Sequence, residues 1–505
     1  MRFNIVSGRF EETDGSPERA AVIGSDGALT WSAFKTRCEA LAAMISALDL
    51  PAGHPVMVRG HKEAEMVCAM TACMMLGHPY IPLDVVVPMD RVMRIRAITG
   101  AALIIDQTDE RFVDHVPFVL QNGKVRRNPE VLIEAGVPDR PADPIRYIIF
   151  TSGSTGEPKG VRITREAAGA FLEWMVNDFG FTPDDVFINQ APFSFDLSVY
   201  ELFTSLHSGA TLLLNDAGTA KDSRRFLDRV NEYGGSVWVS TPTFAYLYLT
   251  EPSFTGGELP TIHSFLFCGE ALPKMTAQRL LDRFPAARVL NTYGPTEATV
   301  ATSLIDVTLD MLAKYADMPV GRPKRDSIIR TRTDDGSVAT KEAPGEIEII
   351  GSHVSIGYLN NDELNAEKFF VDEGQRGFRT GDYGWFQDGI LFFNGRRDEQ
   401  VKLNGFRIEL GDIGAQMLLV PGVADAIAVP LKSGDVVKRI VGFIRPAPGA
   451  EATALRGHVA THLERSLPAY MIPADLMFVD AFPVNSSHKT DRMALIDLYI
   501  KRPRA

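Results

Sequence analysis

The first clear hydrophobic pattern near the amino terminus has the period of an α-helix. Thr30 can cap this helix with its hydroxyl group, and apolar residues then recur at intervals of three or four positions. These residues are Phe34, Cys38, Leu41, Ile45 and Leu48. The longest apolar stretch, residues 67–76, ends before Gly77 and is too short to span a bilayer, so it predicts a buried helix.

Short apolar runs further along the chain alternate with helical patterns. The runs occupy residues 147–150, 236–239, 265–267 and 289–290, and the helical patterns include residues 167–175 and 277–284. This alternation predicts an α/β fold with mainly parallel sheets, in which ligand sites lie beyond the carboxyl ends of the strands. Shorter, glycine-flanked strands at residues 346–350 and 390–393 predict a smaller β-rich subdomain.

The clearest candidate domain boundary lies at residues 394–400, where polar residues and Gly395 separate two strand-like runs. A chain of 505 residues is too long for one small domain. We therefore predict a large N-terminal domain of stacked α/β sheets with the β-rich subdomain over residues 1–395. A small α/β C-terminal domain is predicted over residues 396–505.

The charge balance excludes some classes of partner. The chain has 52 lysine and arginine residues against 64 aspartate and glutamate residues, a net charge of −12. An acidic chain is a poor binder of nucleic acid or of anionic membranes, because both need surplus positive charge. The charge is uneven, however, since residues 396–505 contain 15 basic against 12 acidic side chains.

The cysteines and the amino terminus predict a cytoplasmic location. Cys38, Cys68, Cys73 and Cys268 match neither a zinc-site spacing nor a disulfide framework, so we expect reduced thiols. Residues 1–10 lack the apolar segment of a signal peptide, and no membrane span is predicted. No oligomer is predicted from the sequence.

The strongest local chemical signal follows the apolar run at residues 147–150. It consists of hydroxyl and glycine residues followed by a lysine, namely Thr151, Ser152, Gly153, Ser154, Thr155, Gly156 and Lys159. Glycines let backbone N–H groups approach an anion, hydroxyls add donors and the lysine adds charge, which together suit a polyphosphate. The Gly-Lys-Ser/Thr ending of a Walker A loop is missing. A flexible surface loop is the alternative interpretation.

Two further segments carry groups that suit a nucleotide. After a short strand, Tyr293 offers a flat ring for a base, Thr296 a hydroxyl for phosphate and Glu297 a hard oxygen ligand for Mg²⁺. Asp382 can accept both ribose hydroxyls, and Arg396 can hold a phosphate. Either segment alone could be an ordinary turn.

The neighbouring residues alone do not decide the roles of two other charged residues. Asp196 lies in an aromatic-rich apolar run, where an unpaired carboxylate is costly to bury, so it should cap a helix or bind a cation. Lys489 lies in a turn near the end of the sequence, where a lysine is usually solvated.

Taken together, these segments resemble the adenylate-forming enzymes, which include acyl-CoA synthetases, luciferases and the adenylation domains of nonribosomal peptide synthetases. The resemblance runs from residues 29–31 to Lys489 with the core motifs in order. Residues 195–198, 265–270 and 291–299 are similar to those of the ligases that load D-alanine onto a carrier protein. Residues 80–84 are typical of the amino-acid-activating branch.

The resemblance implies a two-step reaction with ATP and Mg²⁺. A small amino acid, D-alanine as the leading candidate, becomes an aminoacyl-adenylate and then a thioester on the phosphopantetheine arm of a carrier protein. No carrier module follows Lys489, so we expect the carrier to be a separate protein. The C-terminal domain of the family rotates between the two steps, and Asp398 matches the hinge position.

The resemblance also assigns roles to residues. Residues Thr151–Gly156 and Lys159 would hold the ATP phosphates, and adenine would be framed by Gly269, Glu270, Ala271, Asn291, Thr292, Tyr293 and Gly294. Thr296 would contact the α-phosphate, Glu297 would bind Mg²⁺, and Asp382 would accept the ribose hydroxyls with Arg396 beside it. Lys489 would bridge the substrate carboxylate and the α-phosphate, and Asp196 would pair with the substrate ammonium group.

The substrate pocket departs from the family pattern in places. The matching residues are Asp196, Leu197, Tyr200, Val239, Leu266, Cys268, Thr292, Val300, Ala301 and Lys489. Leu197, Cys268 and Val300 suit the D-alanine ligases. Tyr200 replaces an expected methionine and could shrink the pocket or offer a hydroxyl group. Residues 486–488 and 411–414 also depart from the usual turn and Glu-Ile-Glu run.

Three alternatives stay open at this stage. The first is a stand-alone adenylation enzyme for another small amino acid. The second is an acyl- or aryl-CoA ligase, although a bare acid would offer no cation to Asp196. The third is a non-catalytic adenylate-binding protein, although binding alone would not need Lys489.

Overall fold

The computed structural model describes residues 1–108, 112, 114–133, 144–152, 157–396, 400–433, 436–483 and 490–502. The chain forms two compact units. The first unit comprises Met1–Val85, Arg96–Phe150 and Gly160–Arg397. The second comprises Val86–Ile95, Thr151–Lys159 and Asp398–Ala505.

The amino-terminal elements follow the hydrophobic pattern closely. In chain order they are β1 (Arg2–Asn4), β2 (Arg9–Glu11), β3 (Ala20–Gly24), β4 (Gly27–Thr30), α1 (Trp31–Ser46), β5 (Val56–Gly60), α2 (Ala64–Leu76), β6 (Tyr80–Asp84), α3 (Met89–Thr99), β7 (Leu103–Asp106), β8 (Phe118–Gln121), β9 (Lys124–Arg127), β10 (Ile145–Thr151) and β11 (Lys159–Thr164). Thr30 caps α1 by accepting a bond from the Ala33 N–H, as predicted. The helix ends at Ser46, so Leu48 lies beyond it, contrary to the periodic pattern.

The predicted buried helix is α2. It ends where Gly77 adopts a left-handed conformation with φ 74°, which a glycine reaches without steric cost. Met66, Met70 and Met74 on this helix are all buried, so they fill the core. The four cysteines of the chain are also buried in the described part, and no disulfide joins them.

The central part of the chain completes the first unit. Its elements are α4 (Arg165–Asp178), β12 (Val186–Asn189), α5 (Ser198–Ser208), β13 (Thr211–Leu214), α6 (Ala217–Lys221), α7 (Ser223–Glu232), β14 (Val237–Ser240), α8 (Pro242–Tyr248), β15 (Ser264–Phe267), α9 (Lys274–Arg283), β16 (Arg288–Tyr293), β17 (Ser303–Asp306), α10 (Leu309–Lys314), β18 (Arg322–Pro323), β19 (Ile328–Arg332), β20 (Gly345–Ile350), α11 (Asp362–Lys368), β21 (Phe369–Asp372), β22 (Gln375–Gln387) and β23 (Ile390–Arg396). The predicted alternation of strands and helices is therefore present.

Three large sheets organise these strands. One has the order β11-β10-β6-β5-β7-β8-β9, and another has the order β18-β17-β16-β15-β14-β12-β13-β3-β4. The third is antiparallel, with the order β19-β20-β22-β21 and β23 paired with β22. The predicted α/β class, with stacked sheets and a smaller β-rich part, is confirmed.

The register of the second sheet places several loops at one edge. Strands β12, β14, β15 and β16 are parallel neighbours, and Phe267 pairs with both Ser240 and Asn291. The segments that follow these strands therefore leave the sheet at the same carboxyl edge. Parallel sheets bind ligands at this edge, as expected from the sequence.

The second unit has its own hydrophobic core. Its carboxyl-terminal elements are β24 (Gln400–Leu403), β25 (Phe406–Glu409), α12 (Leu410–Leu418), β26 (Val423–Ser433), β27 (Val436–Pro446), α13 (Ala452–Ser466), β28 (Asp475–Phe478) and α14 (Arg492–Lys501). The sheet order is β26-β27-β28, with β24 and β25 forming a separate hairpin. Ile413 and Met417 of α12 are buried in this core with Val459 and Leu463 of α13.

Residues 411–414, which depart from the family pattern, lie in α12. Asp412 is buried there, and its Oδ2 lies 3.5 Å from an Nη atom of Arg91 within the same unit. Burial raises the pKa of Asp412 to about 6. The difference of residues 411–414 from the usual Glu-Ile-Glu run therefore places a paired carboxyl group at the start of a core helix.

Candidate active site

Asp382 is the centre of a buried hydrogen-bonded cluster in the first unit. The Tyr293 hydroxyl donates to its Oδ2 at 2.6 Å, and Arg396 donates to its Oδ1 at 2.6 Å. Asp382 and Arg396 are paired across β22 and β23, so the sheet register fixes their separation. A carboxylate has about four acceptor positions, so two such bonds leave capacity for a pair of hydroxyl groups. The cluster can therefore orient a ribose.

Tyr293 links this carboxylate to β16. Its side chain is buried and lies against the Phe393 ring, with the ring centres 5.9 Å apart. Burial, and then the negative charge of Asp382, raise the pKa of Tyr293. The hydroxyl therefore keeps its proton and acts as a fixed donor to Asp382.

Asn291 carries an unused acceptor near the end of β16. Its Nδ2 donates to the Pro319 carbonyl at 2.8 Å, which fixes the orientation of the amide. Its Oδ1 is buried and has no hydrogen-bond partner among the described residues. A buried acceptor without a donor is costly, and the exocyclic amino group of adenine would satisfy it. This observation fits an adenine nucleotide.

The chain passes very close to itself after Tyr293. A Cβ atom on Gly294 would lie 2.4 Å from the Cα of Ala301, so only glycine fits at this position. The close approach brings the end of β16 against the residues that follow Glu297. Tyr293 at the end of β16 therefore lies close to Ala301, a residue of the predicted substrate pocket.

Glu297 lies in a short 3₁₀ turn, Thr296–Ala298, and is completely buried. Its Oε1 accepts a bond from the Tyr358 hydroxyl at 2.7 Å, and its carbonyl accepts from the Ser355 N–H at 2.8 Å. Among the described residues no cluster of three or more potential ligands could hold a metal ion alone. Proteins often bind Mg²⁺ through one or two carboxylates together with substrate phosphates, and Glu297 fits that arrangement.

The turn after Glu297 has an unusual backbone. Thr299 and Val300 have φ values of 52° and 71°, in the left-handed region that β-branched residues avoid. The Thr299 hydroxyl donates to the His353 carbonyl at 2.6 Å, and the Ala301 N–H donates to the Thr299 carbonyl at 2.9 Å. Such backbone strain persists only where surrounding contacts enforce it, and it concentrates at functional sites.

Tyr200 is buried among the residues of the predicted substrate pocket. Its hydroxyl lies 2.8 Å from the Thr292 Oγ1, whose own proton is donated to the Phe267 carbonyl at 2.7 Å. Tyr200 is therefore the donor in the first of these bonds. Since its proton is already used, the Tyr200 hydroxyl has no proton to donate to a substrate side chain.

The other pocket residues are also buried. Cys268 directs its Sγ toward the Val300 carbonyl at 3.7 Å, and Leu197 and Val300 are about 2% exposed. Asp196 is 7% exposed and precedes α5, where Leu197 occupies the N-cap position. Because Leu197 rather than Asp196 holds that position, the N-cap interpretation of Asp196 is not supported.

A sequence profile of the AMP-binding enzyme family matches residues 10–359, and a profile of the AMP-binding enzyme C-terminal domain matches residues 413–489. The chain belongs to the AMP-binding enzyme family. The predicted membership of the adenylate-forming superfamily and the classification as an AMP-forming ligase are confirmed. Membership also implies that this AMP-binding enzyme uses ATP.

Known proteins resemble this AMP-binding enzyme along nearly its whole length. The D-alanine--D-alanyl carrier protein ligase of Bacillus cytotoxicus is 38% identical over 494 residues, which cover 95% of this chain and 96% of the relative. The structure of holo-PA1221, an NRPS protein containing adenylation and PCP domains, is 26% identical, with a TM-score of 0.79 over 95% of this chain and 82% of that one. The amide bond synthetase McbA from Marinactinospora thermotolerans shares the fold at 21% identity, with a TM-score of 0.83 over 99% and 100% of the two chains.

Thr151, Ser152 and Lys159, which are predicted to bind the ATP phosphates, belong to the second unit of the enzyme. The Ser152 hydroxyl donates to the Arg407 carbonyl at 3.1 Å and accepts from the Glu409 N–H at 3.0 Å. Lys159 lies 3.2 Å from Glu409 Oε1. The Thr151 hydroxyl is buried and has no partner among the described residues.

Six of the predicted site and hinge residues of the enzyme lie outside the described ranges. The residues outside the described ranges are Gly153, Ser154, Thr155, Gly156, Asp398 and Lys489. Glu270 accepts a bond from the Thr243 N–H at 3.1 Å, and Gly269, with φ 90°, precedes it. None of the described helices combines the length and the apolarity needed to cross a bilayer.

Sequence reasoning missed the residues that support the site. Tyr358 orients Glu297 from 61 positions away, and His353 supplies the carbonyl that anchors Thr299. The His353 ring is completely buried beside Thr302, and burial lowers its pKa well below the usual value. No local pattern marks either residue, because their partners are distant in the sequence.

Proposed function

We propose that the enzyme activates D-alanine with ATP and then transfers it to the phosphopantetheine thiol of a separate carrier protein. The observation that carries this proposal is the buried carboxyl group of Asp196, directly before the helix that carries the buried Tyr200. A buried carboxylate suits an ammonium group, and Tyr200 would narrow the proposed pocket to the size of a methyl side chain. The names of the similar curated proteins support the same substrate.

In the first step, the substrate carboxylate attacks the α-phosphate of ATP and pyrophosphate leaves. Two anions must approach each other, so positioning and charge neutralisation dominate the barrier. Glu297 would hold Mg²⁺, which supplies charge to the phosphates when bound. Asp382 would orient the ribose, Thr296 would contact the α-phosphate, and Lys489 would bridge the two reacting anions.

The ATP phosphates would lie against residues 151–156 and Lys159. Hydroxyl groups, glycine N–H groups and a lysine are the donors that a polyphosphate needs. The base would lie at residues 269–271 and 291–294, where the unpartnered Oδ1 of Asn291 would accept from the adenine amino group. These roles rest on chemistry and on resemblance to the family.

In the second step, the carrier thiol attacks the adenylate carbonyl and AMP leaves. We propose that residues 396–505 rotate about a hinge at Asp398 between the two steps, relative to residues 1–395. Lys489 would serve adenylation, and the face formed by residues 402–407 would replace it for thioester formation.

The substrate assignment is tested by ATP–pyrophosphate exchange with D-alanine, L-alanine, glycine, serine and proline. D-alanine is expected to give the highest kcat/KM. Asp196→Asn is expected to lower kcat/KM for D-alanine at least about 100-fold, because a neutral amide replaces the counter-charge of the ammonium group. The KM for ATP should change little.

Asp185→Asn provides a matched control. Asp185 is also buried, but it precedes β12 and binds His263 at 2.6 Å, at the end of the strand opposite to the substrate pocket. This variant should keep the kinetics for D-alanine. Exchange with fatty or aryl acids but with no amino acid would contradict the proposal and would favour an acyl- or aryl-CoA ligase.

Carrier recognition gives a second prediction. Lys438 and Arg439 are exposed on β27, in the carboxyl-terminal region where basic residues outnumber acidic ones. Carrier proteins of this class are generally acidic, so reversing both charges to glutamate should lower kcat/KM for the carrier about 3- to 10-fold at low salt. The difference should shrink as ionic strength rises.

Amino-acid-dependent pyrophosphate exchange serves as the internal control, since that step needs no carrier. It should be unchanged in the doubly reversed variant. Thioester formation that is insensitive to salt in both proteins would count against electrostatic steering. If thioester formation is faster with free coenzyme A than with a carrier protein, this would count against a carrier protein as the acceptor of the amino acid.

A further inference from the structure

A buried lysine holds the loop that leads to Asp196. We define the substrate loop as residues 190–197, which join β12 to α5. Lys62 follows β5 and is completely buried in the first unit. Its ammonium group donates to the Ala191 carbonyl and to the Asn189 side chain, and lies 4.5 Å from the centre of the Phe193 ring. Lys62 therefore contacts the loop and the residue before it.

The contacts of Lys62 continue to the other end of the substrate loop. The Nδ2 of Asn189 donates to Oε1 of Glu201 at 3.1 Å, and Glu201 lies on α5 directly after Tyr200. Gln190 also donates to the Val239 carbonyl at 3.2 Å. The loop is thus fixed where it leaves β12 and where it enters α5, on both sides of Asp196.

This polar network is costly to bury. Burial lowers the pKa of Lys62 to about 8, against the attraction of Asp84 and Glu201, and burial also raises the pKa of Glu201 to about 8. The Oε2 of Glu201 is buried and has no hydrogen-bond partner among the described residues. Replacing buried ions by well-packed apolar side chains is often neutral or stabilising, so packing alone does not explain Lys62.

We propose that Lys62 is a positioning residue for amino-acid recognition, because it fixes the backbone and an aromatic ring of the loop that carries Asp196. This inference rests on the proposed function, in which Asp196 binds the substrate ammonium group. Small misplacements of a binding group lower catalytic efficiency steeply, so loss of Lys62 should weaken amino-acid use more than ATP use.

The test is steady-state pyrophosphate exchange with Lys62→Met, which keeps an unbranched side chain but removes the charge and the donors. We expect KM for D-alanine to rise at least about tenfold, while KM for ATP stays within about twofold. Lys62→Gln keeps a polar amide that is shorter and neutral, and a rise of about 3- to 10-fold is expected. Thermal unfolding is measured in parallel for each variant.

Arg59→Met is the matched control. Arg59 lies on β5, three positions before Lys62, is also buried, and has Asp106 at 3.7 Å and Thr108 at 2.7 Å as its described polar partners. It should lower the unfolding temperature but leave KM for D-alanine within about twofold. An equal rise in KM in both methionine variants would mean that Lys62 is merely structural and would overturn the proposal.

Two other outcomes have definite meanings. If Lys62→Met does not fold, Lys62→Gln decides, and an unchanged KM for D-alanine in that variant contradicts the inference. If the unaltered enzyme shows no exchange with any amino acid, the proposed function fails instead. The two failures are therefore distinguishable from one set of measurements.

Discussion

Replacing Glu297 by glutamine is expected to slow aminoacyl-adenylate formation at least about 100-fold, equivalent to about 2.7 kcal/mol of transition-state stabilisation. Glutamine keeps the size of the side chain and an acceptor for the Tyr358 hydroxyl, so the buried turn should stay intact. It removes the anionic oxygen that would bind Mg²⁺. The measurement is single-turnover adenylate formation as a function of Mg²⁺ concentration.

Tyr358→Phe separates the charge of Glu297 from its orientation. This variant removes the donor to Glu297 and leaves the carboxylate, so a loss of about 3- to 10-fold is expected, equivalent to about 0.7–1.4 kcal/mol, the usual net value of one hydrogen bond. The Mg²⁺ dependence should shift strongly only in Glu297→Gln. An unaltered Mg²⁺ titration in Glu297→Gln would exclude Glu297 as a metal ligand.

The second large effect is expected for Asp382→Asn. An amide has one acceptor atom, which cannot serve Tyr293, Arg396 and the ribose hydroxyls together. We expect KM for ATP to rise about 100-fold and the stability to fall by about 3 kcal/mol, because Arg396 loses a buried counter-charge. Exchange kinetics with ATP and urea unfolding measure the two effects.

Deoxynucleotides sharpen this test. The unaltered enzyme should use 2′-deoxy-ATP and 3′-deoxy-ATP less well than ATP, and Asp382→Asn should lose most of that preference. As a control, Asp306→Asn removes a half-exposed partner of Arg288, which should cost at most about 1 kcal/mol and leave KM for ATP unchanged. An undiminished preference for ATP in Asp382→Asn would place the ribose elsewhere.

Local sequence signals were enough to predict many of the elements. The Thr30 cap, the buried helix α2 and its end at Gly77 follow from hydrophobic period and backbone freedom, which act within a few residues. Where such signals are weak, the prediction is wrong by a few positions. Leu48 continues the helical spacing, but α1 ends at Ser46.

The candidate site was less predictable, because its geometry depends on long-range pairing. Chemistry and resemblance pointed to Tyr293 and Asp382, but the bond between them joins residues 89 positions apart. Tyr200 left two interpretations open in the sequence. The second bond of Thr292, to the Phe267 carbonyl, makes Tyr200 the donor to Thr292 and so argues against a hydroxyl proton offered to the substrate.

The strained turn at Thr299 and Val300 has a consequence for improving this enzyme. Two left-handed non-glycine residues store on the order of 1–3 kcal/mol each, which the surrounding contacts must supply. Glycine at position 300 would release its share of this strain, since glycine adopts that backbone freely, but it would also delete the buried Val300 side chain. The same substitution would remove a side chain from the proposed amino-acid pocket, so relief of backbone strain and substrate selectivity would compete at one residue.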